Sequence, residues 1–192
     1  MKKNKKLIVL VALFLAVFAI GGTLAYLTDT TEETKNVFTF GKVEIELEEE
    51  WVASDATDLI PGSEVTKKPK VTVKSGSKDA FIFMEVTLPD QVNSKDVFDA
   101  LTISSDWALV SGNVYAYVGS DTSTMQAVAA GSSTSNIFES VKVNSNLKGA
   151  DINALNALDE VAIKVKAYAI QAENLDSQAP AAVWSTLQSQ NN

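Results

Sequence analysis

The sequence contains no cysteine, no histidine and no arginine. Missing histidine removes the commonest general base and the commonest zinc ligand. With cysteine missing too, Ser-His-Asp, Cys-His and His-Glu-x-x-His chemistries are excluded. No disulfide staples the chain, although an oxidising exterior would permit one. Every basic side chain is a lysine, so the bidentate forks that grip phosphate and nucleic acid are missing. The formal charge is −8, from 16 lysines against 24 acidic residues. That balance argues against nucleic-acid partners and against docking on an anionic membrane surface.

What is present begins with a leader. Lys2, Lys3, Lys5 and Lys6 precede an apolar run from Leu7 to Ile20, and Gly21-Gly22-Thr23-Leu24-Ala25 closes it. A positive n-region, an apolar h-region and a small-residue cleavage site define a secretory signal peptide. Thr23 and Ala25 fall on the small-residue subsites, which predicts cleavage between Ala25 and Tyr26. Uncut, Leu7 to Leu27 is just long enough to span a bilayer, so membrane contact is expected only through the unprocessed leader. Cleavage removes four lysines and leaves 12 against 24 acidic residues, a net charge of −12. The expected division is a signal-peptide helix over 1–25, an extended segment over 26–36 and one β-domain over 37–192. The mature chain is long enough to bury its own core.

Most of the mature chain reads at strand period. Val43, Ile45 and Leu47 alternate with Lys42, Glu44, Glu46 and Glu48, giving one buried and one wet face. Phe38 and Phe40 are apolar at the opposite parity, so Gly41 marks either a bulge or a break. Ile60-Pro61-Gly62-Ser63 has the type II turn pattern. On this reading Gly62→Val is expected to destabilise more than Gly119→Val in the later loop. A strand follows over Lys70–Lys74, and the nearly continuous apolar run Ala80–Leu88 predicts a central strand covered on both faces. Ser94–Leu101 reads as a short helix capped by Ser94, with Val97, Phe98 and Leu101 on one face. Trp107–Val110 and Val114–Val118 read as a hairpin through Ser111-Gly112-Asn113. Residues 119–136 read as loop with room for one weak strand, Ile137–Val143 and Val161–Gln171 as strands, and Ala179–Gln188 as a helix anchored by Val183, Trp184 and Leu187. The fold class is therefore all-β: an antiparallel sandwich with a few short helices.

The candidates for chemistry are weak. Glu44, Glu46, Glu48, Glu49 and Glu50 form the densest acidic run. Calcium could use such oxygens, but no Asp-x-Asp-x-Asp-Gly loop accompanies them, and a solvated strand face that discourages edge pairing explains them better. Asp55 with Asp58, and Asp96 with Asp99, are close carboxylate pairs in polar surroundings, unsuited to acid–base work in a cleft. Trp51, Trp107 and Trp184 read as core before they read as a glycan platform. No catalytic residue, metal ligand or cofactor is expected.

Three blocks carry a resemblance. The first is Gly21-Gly22-Thr23-Leu24-Ala25-Tyr26-Leu27-Thr28-Asp29 with Asn36-Val37-Phe38-Thr39-Phe40-Gly41-Lys42-Val43-Glu44-Ile45-Glu46-Leu47. The second is Ile60-Pro61-Gly62-Ser63, Lys68-Pro69 and Ala80-Phe81-Ile82-Phe83-Met84-Glu85-Val86. The third is Val165-Lys166-Ala167-Tyr168-Ala169-Ile170-Gln171-Ala172 with Ala181-Ala182-Val183-Trp184. Together they resemble the TasA/camelysin family of Gram-positive bacteria, across most of the chain except 119–160. The resemblance implies a jelly-roll-like sandwich, export through the dedicated signal peptidase SipW, and a place among fibre-forming biofilm matrix subunits. Other members are described as metallopeptidases, a role that here would need an all-carboxylate metal site.

The resemblance also implies a donor strand at the mature N-terminus: Tyr26, Leu27, Thr28, Asp29, Thr30 and Thr31. The residues fit that role on their own terms. Residues 26–36 contain no glycine or proline, and four threonines favour extended backbone. Eleven extended residues reach roughly 36 Å. Such a segment can add to the open sheet edge of a second copy, and head-to-tail addition that does not close builds a filament. The expected partner is therefore the protein itself. Two other classes compete: a secreted camelysin-like metallopeptidase, and a monomeric surface binding module with its tryptophans on one exposed face.

Overall fold

The computed structural model describes residues 41–175 and 178–190. The leader, the Ala25–Tyr26 bond, the donor-strand candidates Tyr26–Thr31, and Phe38 and Phe40 lie outside the described residues. The described residues form seven strands: β1 (Ile45–Trp51), β2 (Glu64–Val73), β3 (Ala80–Thr87), β4 (Trp107–Ser111), β5 (Val114–Tyr117), β6 (Ser140–Lys142) and β7 (Lys164–Gln171). They also form two α-helices, α1 (Gly149–Leu155) between β6 and β7 and α2 (Pro180–Gln190) after β7. Sheet I runs β1-β2-β6 and sheet II runs β4-β5-β3-β7, with every pairing antiparallel.

β3 lacks alternation because both of its faces are covered. Ile82, Met84 and Val86 point between the sheets and meet Val71, Val73, Ile137 and Phe138. Phe81 and Phe83 point the other way and meet Val183, Trp184 and Leu187 of α2. The rings of Phe83 and Trp184 lie 5.1 Å apart, and Tyr168 of β7 meets the same indole edge-on at 5.3 Å. The architecture is thus helix on sheet on sheet. A third, smaller cluster of Val92, Val97, Val143 and Leu147 closes one end.

Gly62 has φ 88, and the Ser63 N–H donates to the Ile60 carbonyl at 2.9 Å, as the type II turn requires. β2 is longer than the expected Lys70–Lys74 strand because it passes through Pro69, which sequence patterns bar from a central strand. The loss is absorbed locally. The Pro69 carbonyl accepts from Ile137, and the Ile137 carbonyl takes its donor from Ser104 at 2.8 Å.

The helix expected over Ser94–Leu101 does not form. Asn93 and Ser94 have φ of 47 and 62 in a two-residue turn, closed by reciprocal Val92–Lys95 hydrogen bonds of 2.9 Å. Ser94 cannot cap from that conformation. The following chain is extended, with Phe98 bridged to Val143. Val97, Phe98 and Leu101 are apolar because they feed different clusters, which a helical count cannot distinguish. The strand expected over Ile137–Val143 is regular only at β6. The unanticipated α1 is tied down by Asp151, whose carboxylate accepts from the Lys148 N–H (2.8 Å), Asn93 Nδ2 (2.9 Å) and Lys95 Nζ (2.5 Å).

Candidate assembly edge

β2 is hydrogen-bonded along both flanks. On one side, β6 and the segment before it follow the strand: Gly131 donates to Val73, Thr134 to Val71 and Ile137 to Pro69, at 2.8–2.9 Å. On the other side lies β1, which has β2 as its only partner strand among the described residues. β7 ends sheet II, paired among the described residues with β3 alone. The two edge strands approach each other on the same side of the sandwich.

Between them runs an apolar seam. Val43, Ile45, Val165, Ala167 and Ala169 pack against the inter-sheet core but remain partly exposed. Leu47, Trp51 and Val161 are 37–42% exposed. A cavity of about 410 Å³ opens at one end, lined by Trp51, Leu59, Lys67, Phe98 and Ile163 among others. Another of about 480 Å³ opens at the other end, beside Gly41, Val43, Ala169 and Leu175. β1 runs from the second cavity toward the first and β7 runs back.

The acidic run finds its partners in β2. On the outer face Glu46 pairs with Lys74 (3.6 Å), Glu48 with Lys70 (3.2 Å) and Glu50 with Lys68 (3.3 Å). The Thr72 hydroxyl donates to Glu48 and, with Lys70, holds that carboxyl below its ordinary range. Lys42 does the same for Glu44. Glu49 faces inward and takes the nearly buried Lys67 at 2.5 Å, whose ammonium also lies 5.0 Å from the Trp51 ring centre. These lysines supply the countercharge a calcium ion would otherwise bring. Edge protection alone therefore does not explain the run: the lysines at 67, 68, 70 and 74 answer it as a ladder.

The other carboxylate candidates, Asp55, Asp58, Asp96 and Asp99, lie outside the strands. Asp55 lies in a 3-10 turn over Ala53–Ala56, and Asp96 accepts from Gln91 at 2.8 Å. Trp107 and Trp184 are core and Trp51 is at the seam, so the three do not share an exposed face. Among the described residues no three acidic side chains converge as metal ligands, and no helix is long and apolar enough to cross a membrane.

Two antiparallel sheets with a dry interior define an all-β sandwich protein. The description camelysin metallo-endopeptidase matches residues 1–100, and the chain belongs to that family, the TasA/camelysin family its motifs resemble. The match takes in the N-terminal motif block and β1 to β3; the late motifs around Val165–Ala172 and Ala181–Trp184 lie beyond it. No curated protein and no solved structure matches the chain. The family description implies a metal, and the donor set does not fit one. Peptidase zinc is held by nitrogen or sulfur with at most a supporting carboxylate. Histidine and cysteine are missing here, and the densest carboxylates are engaged by lysines.

Proposed function

We propose that the protein is an exported structural subunit of extracellular matrix or cell-surface fibres, without an active site. It assembles by adding residues 26–36 of one copy to the open side of the next. The observation that carries this reading is the pair of edge strands β1 and β7, flanking a partly exposed apolar seam on one side of the sandwich. An exposed edge of this kind invites another strand. The N-terminal segment is polar after Leu27 and poor at anchoring on its own domain, which suits it to pairing by backbone hydrogen bonds on a neighbour. A SipW-type signal peptidase is the partner during export. While residues 1–25 remain, the segment is tethered at the membrane and assembly waits for cleavage after Ala25.

The test is deletion of residues 26–35 from the exported protein. The shortened chain should keep its β circular dichroism and form no filaments by electron microscopy. Filaments of normal length and number from it would defeat the reading. Casein should remain intact with either protein, with or without added zinc; chelator-sensitive degradation lost on substituting specific carboxylates would restore the peptidase reading.

A further inference from the structure

The two edges on this side of the sandwich, β1 and β7, carry opposite charges. On the solvent face of β1 the outermost row is Glu46, Glu48 and Glu50, with the lysines one strand further in. On the outer face of β7 the outermost row is Lys164 and Lys166, with Glu85 one strand further in, opposite Lys166. Lys164 is exposed, and among the described residues its ion-pair partner is Glu160, 3.8 Å away. Lys166 makes no ion pair among the described residues; its ammonium sits 4.7 Å over the Tyr168 ring, while Tyr168 donates to Glu85 at 2.7 Å. The charge order is thus reversed between the edges.

The N-terminal segment is acidic. Asp29, Glu32 and Glu33 outnumber Lys35, and Asp29, Thr31 and Glu33 share one face of an extended strand, with Leu27 and Lys35 at its two ends. Beside β1 those acids would stand in the row next to Glu46, Glu48 and Glu50, and like charges across a strand pair are destabilising. Beside β7, the antiparallel register that sets Glu33 opposite Lys164 places Thr31 opposite Lys166 and Asp29 opposite Tyr168, so Glu33 meets a lysine directly and Asp29 reaches Lys166 on the diagonal. The opposite face of the segment carries Tyr26, Thr28, Thr30 and Glu32; in that register Thr28 and Thr30 lie opposite Ala169 and Ala167, the smallest side chains of the seam, and Glu32 falls opposite Val165, toward the seam's end.

Resting on the fibre-subunit reading above, we propose that the acceptor edge is β7. The incoming segment of a second copy extends sheet II, and the glutamate row of β1 turns it away from sheet I. Charge reversal on the exported full-length mature protein tests this, with filament yield as the readout and circular dichroism confirming the fold. Lys164→Glu with Lys166→Glu should lower yield by about tenfold, because one direct and one diagonal cross-strand contact turn from attractive to repulsive. Adding Asp29→Lys with Glu33→Lys should restore it. Lys164→Gln with Lys166→Gln serves if the reversal disturbs folding, and should lower yield about threefold on the same grounds. Glu46→Gln with Glu48→Gln should leave yield within about twofold of native. Native yield from the β7 variants, or no rescue by the segment changes, overturns the assignment to β7. If the 26–35 deletion still abolishes filaments in that case, the fibre reading stands and only the edge is wrong. Filaments that survive the deletion overturn both.

Discussion

Sheet II and sheet I place their polar groups differently. Sheet II is dry on both faces where it matters most: β3 sends Ile82 and Met84 into the inter-sheet core and Phe81 and Phe83 under α2. Sheet I has one dry face and one face built from a lysine–glutamate ladder. Buried apolar area carries stability, whereas exposed ion pairs carry little of it. The difference separates the part that holds the fold from the part available for pairing specificity.

The largest expected effect lies under α2. Trp184→Ala or Phe83→Ala should cost about 3–5 kcal/mol in a urea unfolding curve, as large-to-small changes in a packed core do. Glu48→Ala on the outer ladder should cost less than about 1 kcal/mol. Similar losses at both places would erase the contrast between the sheets.

The inward pair at the seam sharpens it. Lys67 is 8% exposed and relies on Glu49. Glu49→Ala should cost about 2 kcal/mol, because a nearly buried ammonium loses its partner. Lys67→Met should be close to neutral, since an apolar side chain of similar length removes the charge and keeps the packing. Equal losses in the two variants would mean that the pair acts like an exposed one.

Next come the two turn glycines. Gly62 has φ 88 with open space around it, whereas Gly119 has φ 59 and a β-carbon there would sit 1.5 Å from Gln126 Oε1. Both Gly62→Val and Gly119→Val should therefore lower the melting temperature, each by roughly 1–2 kcal/mol of backbone strain. Gly119→Val should be at least as damaging, since it must also displace the Gln126 carboxamide. This reverses the order expected from sequence, where a serine-rich stretch reads as tolerant loop.

Asp151 supplies an effect read in its pH dependence. Lys95, Asn93 and the Lys148 N–H hold its carboxyl at about 2, below an unfolded value of about 3.9. A depressed carboxylate stabilises the fold above its unfolded pKa, and that contribution disappears as pH falls from about 4 to about 2. Native protein should lose stability more steeply over that window than Asp151→Asn, as read by chemical unfolding at a series of pH values. Parallel curves would remove Asp151 from the acid limb.

β3, the β4–β5 hairpin and α2 were legible because local pattern and tertiary role agree: a two-sided apolar run, a glycine turn, and a Val183-Trp184-Leu187 stripe. The Ser94–Leu101 helix was misread because its apolar spacing arises from an extended segment visiting separate clusters. β2 was cut short by Pro69, whose missing donor is tolerated only because Ser104 satisfies Ile137. The glutamates of β1 were visible as a wet strand face. Their answering lysines were not, because register depends on pairing between distant segments. The candidate edge was least legible of all. It exists because residues 131–142 fill the other flank of β2, and nothing in the pattern of β1 or β7 states which flank stays open.

The most direct measurement is amide hydrogen exchange of the exported protein before and after assembly. The account predicts that amides of Lys164–Gln171 not bonded to β3 gain protection in filaments, together with those of residues 26–36. Unchanged exchange along β7 in well-formed filaments would contradict it.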